Sequence, residues 1–500
     1  MTAKSNPIST IIKSITFILL VSFVVTKLTY LFRNTSYSRD HITGIKEEKN
    51  IDVVCIGSSG TFTSWEPFRA WENYGITSYC LATNALTPPM LKSYVKYAMK
   101  THNPDLYIID LRQIGNPDSD TILDREGGLR NGIDSFDISI LRMECLRDCF
   151  DYYKSDSSIS SIDYWSYYFD LAKYHTRLDS LNEDSFMNIN NNLPSANKGF
   201  EFIEMYYEYL TYPNNQTDEI GILTDRNRSC LEELLSFCEH YNLNVLFIVT
   251  PGWFDKNSMA TYNAAEKMVE ERGFSFINCN KYYDEIGLDF AKDFYNEGHC
   301  NVFGAEKYTN FMTSFVKEHY DLIDHRGDSN YGEWDTYAFN AMEKDKDQKR
   351  CVDDKINKAN VARSHNLQLN NIKDIDSWVL KADSDQNTIL ITSRNSEIKN
   401  VYIPWNVTNS GNNIIRVFVG DNECFSSDAP LDSPYADVLG SDDLGYSINS
   451  GMMALLSIGD NNFSFSKDGT YITVFDNNYD EVVDVIRIFD NGNKTVMEHL

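Results

Sequence analysis

The sequence has few basic residues, and its cysteines lack the spacing of a metal or redox motif. Basic residues number 45 against 73 acidic ones, which gives a formal net charge of −28. A surface of that sign repels nucleic-acid phosphates, so we expect no nucleic-acid partner. None of the ten cysteines forms a C-x-x-C pair, and no His/Cys group has zinc spacing. We therefore expect no metal ion.

The closest two cysteines, Cys145 and Cys149, lie one helical turn apart. They form either a disulfide or metal pair or, as is more common, two small buried side chains. Prolines are also few, 12 in 500 residues, while 42% of the residues are hydrophobic. This composition predicts a globular chain, and its length predicts two folded units with additional segments.

The N-terminus carries an apolar run that is long enough to cross a membrane. The segment "SITFILLVSFVVT" has no charge, and apolar residues continue past Lys27. We predict a short tail at residues 1–13 and a transmembrane signal anchor at 14–32. A cleaved signal peptide is the alternative, but no small-x-small cleavage site follows. Basic residues are more numerous after the span than before it, which by itself argues against export.

Between Asn50 and residue 322, buried strands alternate with amphipathic helices. The strand candidates are "IDVVCIG", "ITSYCLAT", "PDLYIIDLR", "LNVLFIVTPG" and "FSFINCN". Such alternation predicts an α/β fold, a three-layer α/β/α sandwich around a parallel sheet. A segment rich in Tyr, Trp and Asp, at about 116–223, interrupts the pattern and predicts a helical insertion that serves as a cap or substrate platform.

The remainder of the chain differs in composition. Residues 323–370 are rich in charge and predict a helical or flexible connector. Residues 371–500 contain short β-type runs separated by Asn, Asp and Gly turns, as in "NTILITS" and "VVDVIRIFD". They predict a small, mostly β C-terminal domain.

A serine and a histidine fall at the ends of predicted strands, where α/β proteins gather functional groups. Ser58 and Ser59 follow the first strand, and His299 follows the last. A serine nucleophile needs a base within hydrogen-bond reach, and the base needs a third group to orient it. The pair therefore predicts a candidate catalytic site.

The blocks "IGSSGTFTSWEP" and "DFYNEGHCNVFGAEKYTNF" resemble the first and last blocks of the SGNH/GDSL hydrolase family. In detail they are similar to its membrane-anchored bacterial branch, which includes proteins of alginate O-acetylation and teichoic acid D-alanylation. The resemblance covers residues 50–320 and implies a flavodoxin-like sheet.

By this resemblance, Gly57, Ser58 and Ser59 correspond to the family's G-D-S, with Ser59 as nucleophile and first oxyanion donor, and His299 is the base. The family has an Asp three residues before that histidine, whereas this chain has Asn296. Either Asp293 or another carboxylate contacts the ring, or Asn296 only orients it, or activity is lost.

The family's other oxyanion donors, a Gly and an Asn, are not clearly present. The second strand is followed by Asn84 and the third by Arg112. Arg112 either binds an oxyanion or substrate acid, or forms an ion pair with Asp110 or another acid at the strand end. In the insertion, His175 and Arg177 form an H-x-R segment that either binds substrate or, more commonly for such a helix, is an exposed polar edge.

In the C-terminal domain, the segments "YSINSG", "GTYITVFD" and "VVDVIRIFD" weakly resemble the interleukin-like EMT inducer domain, which implies glycan binding or partner docking. For the whole chain, the resemblance implies a membrane-anchored, extracytoplasmic serine esterase or O-acyltransferase. Its substrate would be acyl groups, acetyl above all, of a cell-envelope polysaccharide or teichoic-type polymer. No cofactor is implied, and a membrane O-acyltransferase is implied as an acyl donor. The alternative is a catalytically degenerate scaffold that binds envelope glycan or an assembly partner.

Overall fold

The chain forms two compact units, Met1–Gln348 and Lys349–Leu500. The computed structural model describes residues 7–33, 39–115, 121–207, 210–365, 368–396, 403–405, 413–440, 444–459, 461–491 and 494–500. The helices of the first unit are α1 (Pro7–Phe32), α2 (Arg39–Thr43), α3 (Ser59–Phe62), α4 (Pro67–Tyr74), α5 (Leu91–Thr101), α6 (Glu126–Ile133), α7 (Ile140–Tyr152), α8 (Tyr164–Tyr168), α9 (Leu171–Tyr174), α10 (Glu183–Met187), α11 (Asp225–His240), α12 (Lys256–Glu271), α13 (Tyr283–Ile286) and α14 (Val302–His319).

A five-stranded parallel sheet lies at the centre of the first unit, as the alternating pattern predicts. Its strands are β1 (Val53–Gly57), β2 (Ser78–Ala82), β3 (Leu106–Asp110), β4 (Val245–Val249) and β5 (Ser275–Asn278). They lie in the order β2-β1-β3-β4-β5, and every neighbouring pair is parallel. Every residue of the first four strands is buried, which explains their continuous apolar sequences.

Helices cover both faces of this sheet. Val54 and Ile56 point into one apolar cluster, which includes side chains from α5, α11 and α12. Val53 and Cys55 point to the other face, into a cluster with side chains from α13 and α14. The alternation follows from the two-residue period of a strand. The α/β class predicted from the sequence is therefore confirmed.

The N-terminal helix α1 contains the apolar run found in the sequence. Its segment Thr10–Phe32 has a mean hydropathy of 2.1 and is long and apolar enough to cross a membrane. Such a helix is compatible with a membrane anchor or a signal sequence. The helix begins at Pro7, inside the predicted tail, and residues 1–6 lie outside the described part of the chain.

The predicted insertion consists of the short helices α6–α10 with 3₁₀ turns, followed by a largely irregular stretch up to the start of α11. Its first residues, 116–120, are outside the described ranges. A small two-stranded ladder, β6 (Phe294–Asn296) and β7 (His299–Cys300), lies between α13 and α14.

The boundary between the units falls inside the predicted connector. A 34-residue helix, α15 (Gly332–His365), begins in the first unit and ends in the second. Trp334 lies in the first unit's core, and its ring stacks on Trp71 with centroids 5.6 Å apart. The start of α15 therefore belongs to the first unit. The sequence placed it in the connector because the segment is rich in charge, but the aromatic contact buries Trp334.

The second unit is mainly antiparallel β structure, as the sequence predicts. A six-stranded sheet has the order β10-β9-β8-β15-β16-β17, and a four-stranded sheet has the order β11-β12-β13-β14. Besides the helix α16 (Ile375–Ala382), its elements are β8 (Asn387–Arg394), β9 (Ile415–Val419), β10 (Asn422–Ser427), β11 (Tyr435–Leu439), β12 (Leu444–Asn449), β13 (Ala454–Ile458), β14 (Asn461–Phe465), β15 (Gly469–Asp476), β16 (Glu481–Asp490) and β17 (Thr495–His499).

Candidate active site

A tight turn between β1 and α3 presents the candidate nucleophile. The strand ends at Gly57, and Ser59 is the first residue of the helix. A side chain at Gly57 would clash with Thr61 Oγ1 and would lie 2.7 Å from Cβ of Asp110. Only glycine allows this close approach, which places α3 directly on the carboxyl end of the sheet.

The buried carboxylate of Asp110 holds the turn in place. Its Oδ2 accepts hydrogen bonds from the hydroxyls of Thr61 at 3.1 Å and Thr250 at 2.8 Å. Its Oδ1 accepts the backbone N–H of Arg112 at 2.9 Å. Burial raises the pKa of Asp110, while the charge of Arg112 opposes that shift. One carboxylate thus connects α3 with the ends of β3 and β4.

The candidate base is brought to Ser59 by the β6–β7 ladder. The hydroxyl of Ser59 lies 2.6 Å from Nε2 of His299, although the two residues are 240 positions apart. Asn296 is the cross-strand partner of His299 in the ladder. Its Oδ1 lies 2.8 Å from Nδ1 of the ring. Ser59, His299 and Asn296 therefore form one continuous chain of hydrogen bonds.

The backbone fixes the direction of this chain. The Oδ1 atom of Asn296 also accepts the N–H of Gly298 at 2.9 Å, and an N–H group can only donate. The amide oxygen therefore faces His299, so ring Nδ1 carries the proton and donates it. The lone pair of Nε2 is then free to accept the Ser59 hydroxyl, which is the tautomer that a general base requires.

The protonation state of His299 suits the same role. Burial, followed by the nearby charge of Arg112, lowers the pKa of His299 to about 3. The imidazole is therefore neutral at neutral pH and can take a proton.

Asp293, which the sequence offers as an alternative to Asn296 for orienting the base, contacts other groups. Its carboxylate accepts a hydrogen bond from Lys307 Nζ at 2.6 Å and from the backbone N–H of Asp289 at 2.7 Å. Burial raises its pKa. The third position beside His299 is occupied by Asn296 because the ladder pairs that residue with the histidine, and Asp293 instead fastens the ladder to α14.

Arg112 follows β3 and reaches the same edge of the sheet. Its guanidinium lies over the ring of Phe254, 4.9 Å from the centroid, and its Nη1 is fully buried. The ion pair with Asp110 considered from the sequence does not form, since Asp110 accepts the backbone N–H of Arg112 instead. The guanidinium is close to three glycines, Gly60, Gly252 and Gly298.

Asn84 lies at this edge by topology. It follows β2, whose last residue Ala82 pairs with Gly57, and the N–H of the intervening Thr83 donates to the Gly57 carbonyl. Gly57, Asn84 and Arg112 therefore lie at or directly after the ends of three neighbouring strands.

The H-x-R segment of the insertion has different contacts. Arg177 Nη1 donates to the carbonyl of Phe32, the last residue of α1, at 2.8 Å. His175 is exposed, and its Nδ1 lies 2.8 Å from the carbonyl of Ala172. The Arg177 contact attaches the insertion to the N-terminal helix, a role that no local sequence signal indicates. Sequence reasoning also missed Thr61 and Thr250, because hydroxyls at strand and helix ends are common.

All ten cysteines are free thiols, and Cys145 and Cys149 are buried as small side chains. Among the described residues, no group of three His, Cys, Asp or Glu side chains is arranged to hold a metal ion. No protein-family model matches the chain, and no curated protein matches it.

Proposed function

We propose that the chain is a serine esterase or O-acyltransferase of the SGNH/GDSL type that acts on acyl esters. The observation that carries this proposal is the hydrogen-bond chain from Ser59 through His299 to Asn296, with the tautomer fixed by Gly298. The order Ser, His, amide parallels the Cys-His-Asn arrangement known from other nucleophilic enzymes.

The reaction begins when Ser59 Oγ attacks the acyl carbonyl and His299 Nε2 takes the hydroxyl proton. Negative charge develops on the carbonyl oxygen. The backbone N–H groups of Ser59 and Gly60 lie in the first turn of α3, where no helical carbonyl precedes them, so they are the proposed donors to that oxygen.

The tetrahedral intermediate then collapses. The ester C–O bond breaks, and the departing alkoxide takes the proton back from His299, which leaves an acyl group on Ser59. Water or an acceptor hydroxyl attacks the acyl-enzyme while His299 again takes the proton. The bond between the acyl carbon and Ser59 Oγ then breaks, and this oxygen takes the proton from His299, which regenerates Ser59. Hydrolysis or acyl transfer results, depending on which nucleophile enters.

The proposed setting is the outer side of a membrane, with α1 as a retained anchor and a cell-envelope polymer as substrate. Retention is supported by the fixed end of α1. Arg33, directly after the helix, is fully buried, and its Nε lies 2.5 Å from Asp170 Oδ2 in the insertion. Cleavage before Arg33 would remove α1, and the insertion would lose its hydrogen bonds to the carbonyls of Tyr30 and Phe32. A membrane O-acyltransferase as donor and glycan binding by the second unit are proposed from the sequence resemblance alone.

A non-catalytic binding role is the second candidate. It is favoured by the amide at position 296, since an amide does not stabilise an imidazolium by charge as a carboxylate does.

The test is hydrolysis of p-nitrophenyl acetate by the purified full-length chain in detergent. We expect Ser59→Ala and His299→Ala to reduce kcat by about 10⁴-fold or more. The matched controls are Ser160→Ala and His319→Ala, both exposed, which should keep wild-type rates. Equal rates in the wild type and Ser59→Ala would contradict the enzyme and favour the binding role.

A further inference from the structure

The candidate active site contains a buried positive charge, the guanidinium of Arg112. A guanidinium is always charged in proteins. Arg112 is 8% exposed, and among the described residues its guanidinium takes part in no salt bridge or hydrogen bond. Buried charges are normally paired, so an arginine in this state indicates a site for an anion.

The surroundings of Arg112 direct its charge at the reacting groups. A side chain at Gly60, next to the nucleophile, would clash with Nη1. One at Gly298, next to the base, would lie 3.3 Å from Nη2, and one at Gly252 would lie 2.5 Å from the same atom. Because none of these three residues has a side chain, the guanidinium packs directly against their backbone, between the Ser59 turn and the His299 ladder.

The nearest acid does not neutralise this charge by direct contact. Asp110 directs its two carboxylate oxygens to Thr61, Thr250 and backbone N–H groups. The charge of Arg112 also acts on His299, because after burial it is the second cause that lowers the pKa of this histidine. An anion bound to the guanidinium would lie within the same electrostatic environment as the base.

We propose that Arg112 binds an anionic group, a phosphate or a carboxylate, that the substrate carries beside its acylated hydroxyl. A planar guanidinium fork matches both groups in a bidentate geometry. The N–H groups of Ser59 and Gly60 are the proposed donors to the transition-state oxyanion. Arg112 is therefore available to bind a group that is already negatively charged in the substrate. That the anion belongs to a substrate rests on the proposed function, whereas the anion site itself does not.

Binding tests the site without catalysis. Inorganic phosphate and acetate are titrated separately into the full-length chain by calorimetry, and the tighter anion names the group. We expect Arg112→Met to weaken that binding at least tenfold and Arg112→Lys to weaken it less, while Ser59→Ala binds as the wild type does. Circular dichroism verifies that the variants are folded. Binding of neither anion, or equal binding by wild type and Arg112→Met, would overturn the proposal.

Kinetics separate the proposed site from an oxyanion role. With an acetyl ester of glycerol phosphate as the anionic substrate and p-nitrophenyl acetate as the neutral one, Arg112→Met should raise KM at least tenfold for the first only. An equal fall in kcat for both esters would make Arg112 an oxyanion donor and overturn the substrate proposal. If the chain hydrolyses neither ester but Arg112 still governs phosphate binding, the proposed function fails and the anion site stands.

A second, independent observation concerns the contact between α1 and the insertion. The side chain of Asn188 donates to the carbonyl of Tyr30 at 3.0 Å, and Lys27 donates to the side chain of Asn190. An α-helix rises 1.5 Å per residue, so Lys27 lies about 8 Å before the end of α1 at Phe32. The segment that contains Asn188 and Asn190 therefore lies beside the last turns of the apolar helix.

This segment exposes apolar side chains. Phe186 is 59% exposed, Met187 is 52% exposed and Ile189 is 37% exposed. They lie next to Asn188 and Asn190, which bind α1, so they adjoin a helix that is able to cross a membrane.

We propose that Phe186, Met187 and Ile189 enter the interfacial region of the same bilayer that holds α1. The occupant of this apolar patch is lipid, because the patch continues the apolar surface of α1 at a depth within Thr10–Phe32. The insertion would then be in direct contact with the membrane surface.

Fluorescence quenching in vesicles tests this. The full-length chain, with its exposed cysteines removed by Cys351→Ser and Cys424→Ser, receives Met187→Cys and a nitrobenzoxadiazole label, and is reconstituted into phosphatidylcholine vesicles with doxyl-labelled lipid. The control label is at Ile323→Cys, an isoleucine that is 63% exposed. We expect at least twofold stronger quenching at position 187. Equal quenching at the two positions, or a chain that does not float with the vesicles, would overturn the proposal.

Discussion

At the residue scale, the amide of Asn296 orients the ring of His299, as the carboxylate of a catalytic triad does. Its oxygen is held toward the ring because Gly298 donates to the same atom. What the amide lacks is a charge to stabilise the imidazolium that would form in the proposed reaction. The orientation and the charge of a triad's third member are therefore separable in this site.

Two substitutions of Asn296 measure the effects of ring orientation and of charge separately. We expect Asn296→Asp to raise both turnover and the pKa of His299, because a carboxylate accepts from Nδ1–H and adds a negative charge. Asn296→Ala should lower kcat about 10²-fold or more by releasing the ring. The measurement is kcat against pH for a neutral ester. A lower kcat in Asn296→Asp would mean that the charge is not what the site lacks.

The pH dependence follows from the lowered pKa of His299. Since that pKa is about 3 and not near its ordinary 6.5, the base stays unprotonated well into the acid range. We expect kcat/KM to remain on its plateau through pH 5 and to fall only below it. In Arg112→Met one cause of the shift is gone, so the pKa rises and the acid limb moves to higher pH. A wild-type limb centred near pH 6.5 would contradict the assignment.

At the scale of elements, the turn between β1 and α3 depends on the absence of a side chain at Gly57. We expect Gly57→Ala to destabilise the fold by about 1–3 kcal/mol, because the added methyl meets Thr61 and Asp110. Chemical denaturation measures the loss. The matched control is Gly127→Ala, in helix α6, where an added methyl meets nothing within 4 Å. Equal stability of the two variants would show that the turn can relax.

The elements also show what the sequence can and cannot predict. Strands β1–β4 are buried on both faces, so their apolar runs stand out and their positions were predictable. The ladder β6–β7 has no such run, and its register decides between Asn296 and Asp293. Spacing leaves both residues within reach of His299, and only the cross-strand pairing selects one.

The attachment of the insertion to α1 was likewise beyond sequence reasoning. Arg33 meets Asp170 across 137 positions, and Arg177 reaches Phe32 across 145. Contacts between such distant residues leave no local pattern. The insertion was predicted as a helical cap or platform, and its link to the N-terminal helix became apparent only from these hydrogen bonds.

At the scale of the whole molecule, the end of the N-terminal helix is bound to the insertion of the first unit. Arg33 binds Asp170 and the carbonyl of Phe136, both in the insertion. We expect Arg33→Ala to lower the free energy of unfolding by about 2 kcal/mol, because Asp170 then keeps, among the described residues, only the ion pair with the more distant Arg142. Thermal unfolding of the full-length chain measures the loss.

The control for this prediction is Lys13→Ala, an exposed lysine in the same helix, which should leave the melting temperature unchanged. If Arg33→Ala melts with the control, the buried pair contributes no net stability, and the end of α1 is held by its backbone contacts alone.

The hold on the last turn of α1 has a consequence for how the protein would search for its substrate. Because side chains of the insertion donate to the carbonyls of Tyr30 and Phe32, the last turn of the helix is held directly against the folded part of the first unit. In a bilayer the whole unit would diffuse laterally together with the helix, at a rate that the surrounding lipid sets. Encounters would then be counted per membrane area and not per volume, so that diluting the protein with extra lipid should slow its reaction with any membrane-bound partner.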